Sequence, residues 1–393
     1  MSASDLVRVV VAAYAVFWAA YSLLLPLLAA MHRQSRAKEV LPGRGELPSI
    51  AVIVPAHNME RVIARCIESL RACRYPGKAL EIFIVADHCT DETVLRARQA
   101  GVSVLERDTG PAGKTYALAW ALDELARRAF HADQYVITDA TAWVEADFLQ
   151  ILAARWMQGE DIVVGRTVVA IENQQWFVRC LALTFVHRNL QNGCRERLGL
   201  SALVEGCGMA FSRPYIERFG WSLALPTSTS TSSHPTEDWR HGVRAVEHGY
   251  RVAFAGNARV VTPLRDSLSA ATKQSVRWER GRISNAMTHG LRLLWLGIRQ
   301  RDLRKLLAAL DAIQPPVAVL GGLCVVIAAF SAFLPRGPRI DVVSFMPVVL
   351  VALYGIVVAA YGRKEGIKLT TIAWAPVYLA WRSLTFVLAW VKK

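Results

Sequence analysis

The sequence predicts an α/β domain with a mostly parallel sheet, held between helices that cross a membrane. Three observations lead to this. From Leu47 to about Asn285, short apolar runs alternate with amphipathic helical patterns. Several of those runs end on an acidic residue, the arrangement of an open sheet whose carboxyl edge carries a site. Long stretches almost free of charge lie on either side, and a chain of 393 residues that is 53% hydrophobic has more apolar surface than one soluble domain explains.

Residues Leu6 to Ala30 carry a single charge, Arg8, and are long enough to cross about 30 Å of hydrocarbon. A signal peptide is the competing reading; its apolar region is usually shorter, and no small-residue cleavage site precedes the basic run. Arg33, Arg36 and Lys38 follow, which by the positive-inside rule places the next domain in the cytoplasm and the N-terminus outside. Ser49 to Val54 reads as the first strand, Met59 to Ala72 as a helix and Leu80 to Ala86 as the second strand. Glu92 to Ala100, Thr115 to Arg128, Gln134 to Thr138 and Phe148 to Trp156 continue the alternation. Leu291 to Leu310 mixes Leu and Trp with Arg and Lys at helical spacing, as in a helix lying in the membrane interface. Ile313 to Leu334, Val342 to Tyr361 and Thr370 to Trp390 read as three more spans, four in all. Arg363, Lys364 and Lys368 against Arg336 and Arg339 weakly place the last loop inside. The expected division is therefore 1–46 as membrane helix and basic linker, 47–285 as catalytic-type domain, 286–312 as interfacial helix and 313–393 as C-terminal spans.

The formal charge of +14 raises nucleic acid as a partner, but Lys and Arg gather where apolar runs end, which suits anionic lipid instead. Seven cysteines without paired spacing fit a reducing cytosol, with no structural metal. A small transporter is disfavoured because the spans hold almost no paired charges. The tract Thr227 to Ser233 is the one low-complexity segment and reads as a surface loop or a mobile gate.

Val54-Pro55-Ala56-His57-Asn58 ends the first strand, and Val85-Ala86-Asp87-His88-Cys89-Thr90-Asp91 ends the second. An acid there suits a base or ribose, although Asp is also a common turn or cap residue. Gly110 to Thr115 lacks the first glycine of the G-x-x-x-x-G-K-[ST] phosphate loop, so an ATPase is rejected. Lys114 at a helix start can still meet an anion. Asp139 closes the next strand. Gly206-Cys207-Gly208-Met209-Ala210-Phe211, Thr236-Glu237-Asp238-Trp239 and Gln274-Ser275-Val276-Arg277-Trp278 come after it. Singly, Thr-Glu-Asp reads as a helix start and Arg-Trp as an interfacial pair.

Together, and in this order, these elements resemble the family 2 glycosyltransferases, in their membrane-anchored inverting branch with the cellulose and chitin synthases. The resemblance covers Pro48 to Arg282 and implies a Rossmann-like GT-A fold. It implies a UDP-sugar donor met by Pro55, His57, Asn58, Asp87, Lys114, Asp139 and Arg277, with Asp238 as general base and Glu237 tuning it. It implies acceptor contacts at Gly206, Cys207, Gly208, Gln274 and Trp278, and Mg2+ or Mn2+ bound by Asp139 and Thr141. The family's Asp-x-Asp is here Asp139-Ala140-Thr141, one carboxylate short, which weakens the expected ion site. The implied product is a lipid-linked sugar or a growing exopolysaccharide made at the cytoplasmic face of a bacterial inner membrane, alone, as a homo-oligomer or with assembly partners. Four spans form a small bundle for a polymer channel. A catalytically weak scaffold is the second reading, motivated by Thr141.

Overall fold

The structure, a computed structural model, describes residues 3–32, 47–171, 175–204, 206–225, 236–333 and 338–391. Arg33, Arg36, Lys38, Arg336 and the tract Thr227 to Ser233 lie outside the described residues, as does the Arg339 side chain. Helix α1 (Ala3–Met31) precedes β1 (Ile50–Ala56), α2 (Ile63–Arg71), β2 (Leu80–Asp87), α3 (Thr93–Gln99), β3 (Ser103–Arg107) and α4 (Lys114–Arg127). There follow β4 (Gln134–Ile137), β5 (Trp143–Val144), α5 (Phe148–Met157), β6 (Ile162–Val169), α6 (Trp176–Arg197), β7 (Met209–Ser212) and α7 (Arg213–Phe219). Then come α8 (Glu237–Glu247), β8 (Val252–Thr262), α9 (Leu268–Asn285), α10 (Leu291–Gln300), α11 (Leu303–Ile313), α12 (Val317–Phe333), α13 (Pro338–Gly362) and α14 (Ala375–Val391).

The strands form one sheet in the order β3-β2-β1-β4-β7-β6-β8-β5. Among the described residues four pairings are parallel and three antiparallel. The sheet is thus more mixed than its alternating texture suggested, because β7 and β5 run against their neighbours. Along β1, Ile50, Val52 and Val54 pack towards α2 and α5, while Ala51 and Ile53 pack towards α4. That two-sided burial is why the strand reads as an unbroken apolar run. In register, Ile53 faces both Phe83 and Ile137, so β1, β2 and β4 release His57, Asp87 and Asp139 at one edge. Antiparallel β7 pairs Met209 with Ile137, which brings the preceding residues Gly206 to Gly208 to that same edge.

Gly208 is fixed there by sterics: its φ is +74°, and a Cβ would lie 2.8 Å from Val260 Cγ1.

Among the described residues three helices are long and apolar enough to cross a membrane: Leu6–Met31, Phe345–Glu365 and Leu369–Val391. A fourth span results if Leu303–Ile313 and Val317–Ala329, bent by 65°, count as one. The single helix expected over 291–310 is instead α10 and α11, broken at Arg301 with φ 52°. Asp302 caps the second of them by accepting from Arg304 N at 2.9 Å and Lys305 N at 3.2 Å.

Helix α6 joins the sheet domain to the apolar helices. Its Gln191 Nε2 donates to Ser22 O at 3.1 Å and to Tyr354 Oη at 2.6 Å. Arg195, also on α6, is buried in an ion pair with Asp311, which accepts from Tyr21 Oη at 2.6 Å. Replacing Asp311→Ala strands a buried guanidinium and is expected to cost about 3–5 kcal/mol of stability. Arg213→Ala, which removes an exposed pair with Glu217, is expected to leave stability nearly unchanged. Unfolding of both variants in one detergent provides the comparison.

Candidate functional site

Helix α4 begins where the carboxyl edge needs a cation. Gly113, with φ 127°, turns the chain, and Lys114 is the first helical residue. Its Nζ lies 2.6 Å from Asp139 Oδ1 and 3.5 Å from Glu237 Oε1, and donates to Gly206 O at 3.0 Å. Burial works against the charged ammonium, but Asp139, Glu237 and Asp238 together outweigh it and raise its pKa. Glu237 goes the other way for a carboxyl: burial, reinforced by Asp238, raises it against the pull of Lys114.

Glu237 and Asp238 occupy the first turn of α8, where the helix dipole favours negative charge. Asp238 is oriented by two backbone donors, Trp239 N at 2.8 Å and the short contact from Gly206 N. Gly206 therefore gives its N–H to the acid and its carbonyl to the lysine. Cys207 beside it is buried, and burial followed by Asp139 pushes its thiol up to about 12, so it is no ready nucleophile.

Helix α9 lies across this edge, begun by Ser267 accepting from Ala270 N at 3.2 Å. Gln274, Arg277 and Trp278 come from its middle, with the Trp278 ring edge-on to Phe185 at 6.4 Å. Asn285, 1% exposed, ties α9 to α8: its Nδ2 donates to Thr236 Oγ1 at 2.9 Å and Thr236 O at 3.2 Å, and its Oδ1 accepts from Arg240 Nε at 3.1 Å.

One cavity of about 1230 Å³ is lined by Lys114, Asp139, Thr141, Gly206, Cys207, Glu237, Asp238, Gln274, Arg277 and Trp278. Ten of the sequence-derived candidates thus share a wall. Pro55, His57, Asn58, Asp87 and Gly208 do not line it. Asp87 is 3% exposed and engaged already, by an ion pair with Arg107 and by Gly113 N at 2.7 Å. His57 Nδ1 donates to the Asp87 carbonyl at 2.8 Å, and Asn58 Oδ1 accepts from Thr90 N at 2.8 Å. These residues brace the two strand ends and, through Gly113, the start of α4.

A family model described as glycosyltransferase like family 2 matches residues 48–281. The chain belongs to this family. The probable glycosyltransferase YdaM of Bacillus subtilis is 25% identical over 248 residues, 60% of this chain and 56% of its own. The chain therefore spans little more than half of that relative. An N-acetylglucosaminyltransferase of Rhizobium sp. strain N33 is 23% identical over 326 residues, 78% of this chain and 70% of its own. Among solved structures, the mannosyltransferase PcManGT from Pyrobaculum calidifontis, in complex with GDP-Man and Mn2+, is similar in fold. The TM-score is 0.55 at 19% identity, over 98% of this chain and 100% of that one.

For a divalent ion, this family 2 chain offers hard oxygen donors only. Asp139 and Thr141 both face the cavity, yet no group of three or more His, Cys, Asp or Glu is poised to hold a metal among the described residues. Two donors suffice only when substrate oxygens complete the shell, as is usual for Mg2+.

Arg107 and Asn285 escaped the sequence reading. Arg107 left a faint signal, an arginine ending a strand beside an unpaired acid; Asn285 left none, since its role exists only once α8 and α9 meet. Asn285→Ala leaves Arg240 Nε and the Thr236 carbonyl without this partner, and is expected to cost about 1–3 kcal/mol in denaturant unfolding while nucleotide affinity holds within twofold.

Proposed function

We propose that the protein is a membrane-embedded, inverting transferase that moves a sugar from a UDP-sugar to a lipid-linked or growing polysaccharide acceptor, in exopolysaccharide or glycolipid synthesis. The observation that carries this is the shared wall of the cavity: three acids, a lysine, an arginine and a tryptophan converge between the sheet edge and the apolar helices. Membership of the family and the Rhizobium relative support sugar transfer as the chemistry, and the positive-inside reading of the sequence supports a site at the cytoplasmic face of a membrane.

In this reading the acceptor oxygen attacks the anomeric carbon as the bond to the diphosphate breaks. Asp238, held by Gly206 N and Trp239 N, takes the acceptor's proton. Lys114 and Arg277 meet the charge growing on the leaving nucleotide diphosphate, Arg277 with two parallel N–H donors. Trp278 gives the acceptor an aromatic face, while Gly206 and Cys207 shape the floor beneath it. Pro55, His57, Asn58 and Asp87 support the nucleotide end by fixing the strand termini. Gly208 allows the close approach of β7, and Gln274 reaches the cavity one turn before Trp278. Asp139, with Thr141, would hold Mg2+ or Mn2+ together with the donor phosphates. Such an ion would neutralise leaving-group charge.

Screening UDP- and GDP-sugars against membrane lipid acceptors in Mn2+ or Mg2+ tests the reading. Asp238→Asn is expected to lower transfer about 10²–10⁴-fold with nucleotide affinity within twofold. Full turnover in that variant would overturn the role of Asp238; tight nucleotide binding without turnover in the wild type would favour the scaffold reading that Thr141 motivates.

The raised Glu237 carboxyl gives a pH expectation. As pH falls it gains its proton, and loses its charge opposite Lys114, at a higher pH than a free glutamate would. The acid limb of kcat/KM should therefore begin above the ordinary carboxylate range and move to lower pH in Glu237→Gln.

A further inference from the structure

We infer that the acceptor is a single membrane lipid, whose chain lies in the part of the cavity walled by α12, α13 and α14 and whose polar head is met by Arg382. The inference rests on the transferase reading above and narrows its acceptor to one class.

The cavity that holds the acids does not end at the sheet. It continues between the apolar helices, where Val325, Val351, Ala352, Ile356 and Leu379 form its walls. Although Tyr354, Thr371, Tyr378 and Arg382 add polar groups to the same cavity, those five side chains present methyl groups and no hydrogen-bond donors. A sugar polymer drawn along them would leave hydroxyls unpaired, at a cost for each one. A hydrocarbon chain instead gains about 0.8 kcal/mol for every CH₂ removed from water, and finds matched surroundings here. Val325 and Ile356 are also 54% and 58% exposed, so among the described residues protein does not cover these two positions. A lipid can therefore enter sideways from the bilayer while its head reaches the aqueous edge.

Arg382 gives the head a partner. It lies on α14, within a segment apolar enough to span the membrane, and it lines the same cavity. An ionisable group at such a depth is retained for a partner or a function. Its Nη2 pairs with Glu279 on α9, and both side chains are at least 95% buried. The pairing is incomplete: among the described residues, Arg382 Nε and Nη1 and Glu279 Oε2 have no hydrogen-bond partner. Thr371 Oγ1, on the same wall, is buried and equally unmatched. Arg382 and Trp278, the aromatic residue assigned to the acceptor, line the same cavity. Oxygens of a lipid hydroxyl or phosphate, after a small side-chain shift, would satisfy the unmet guanidinium N–H groups.

The test uses the full-length protein in detergent and two probes, a diazirine-bearing hexadecanol and the corresponding hexadecyl phosphate. The two arms separate a hydroxyl from a phosphate head. Light-induced labelling is expected at Val351, Ala352 or Ile356, falling at least tenfold in Ala352→Trp, which fills the apolar end. The exchange of Arg382→Met together with Glu279→Gln removes the buried pair without stranding a charge, and is expected to lower labelling by at least fivefold. UDP and GDP binding is measured in parallel and is expected to hold within twofold in Ala352→Trp. Labelling confined to outward residues such as Val349 and Leu353, or unchanged in Ala352→Trp, overturns the inference. So does transfer to a soluble oligosaccharide at equal rates in wild type and Ala352→Trp. If neither nucleotide binds the wild type, the transferase reading itself falls, an outcome separate from failure of the lipid site.

Discussion

A single ammonium holds the edge of the sheet together. Without Lys114, Asp139, Glu237 and Asp238 would face each other across a partly buried space, and like charges at that range are costly when water is scarce. The lysine turns that repulsion into a cluster, and its bond to Gly206 O fixes the backbone whose N–H orients Asp238. Its position is itself imposed: Asp87 accepts from Gly113 N and so locates the first turn of α4, while Arg107 holds Asp87. Six charged residues, Asp87, Arg107, Lys114, Asp139, Glu237 and Asp238, are therefore linked at this edge. A nucleotide diphosphate arriving beside Lys114 would compete with the acids for it, which couples binding of an anion to release of a carboxylate.

The second set of constraints joins this edge to the apolar helices. Arg195 with Asp311 and Tyr21 links α6, α11 and α1; Arg166 with Glu365 links β6 to the segment after α13; Arg382 with Glu279 links α14 to α9. Each is a buried or nearly buried ion pair, and such pairs contribute less to stability than to fixing one arrangement, because losing either partner leaves a charge stranded. They sit where helices could otherwise slide, since Leu and Val faces alone tolerate many registers. The site needs one register, as its acids come from the end of β4 and from α8, and its arginine and tryptophan from α9.

Much of this was legible in the chain. The alternation over 47–285 gave β1, α2, β2, α4, β4 and α5 close to their observed bounds, because strands buried on both faces and helices buried on one leave different apolar periods. The convergence of Lys114, Asp139, Glu237, Asp238, Arg277 and Trp278 followed from motif order. What stayed hidden has a physical reason in each case. The direction of β7 depends on which neighbour it pairs with, and its four residues, Met209–Ser212, carry no mark of that. The break at Arg301 was masked by continuous Leu spacing, although Asp302 is a cap residue that could have signalled it. Asp87 reads as a ligand residue at a strand end, yet Arg107, 20 positions later, already engages it. Asn285 and Arg382 act across helix contacts that no local pattern records.

Helix α9 is the point at which these two sets of constraints become one. It meets Thr236 and Arg240 of the α8 region through Asn285 at its end and α14 through Glu279 near its middle, and it presents Arg277 and Trp278 to the cavity. Its sequence is correspondingly poor as an amphipathic helix, because polar residues are needed on more than one side. Ser275, Glu279 and Asn285 are buried and polar, while Arg277 is exposed towards the cavity. A helix buried for packing alone would hold Leu or Ala at those inward positions. The departure from local pattern therefore marks the element where chemistry, and not packing, chose the residues.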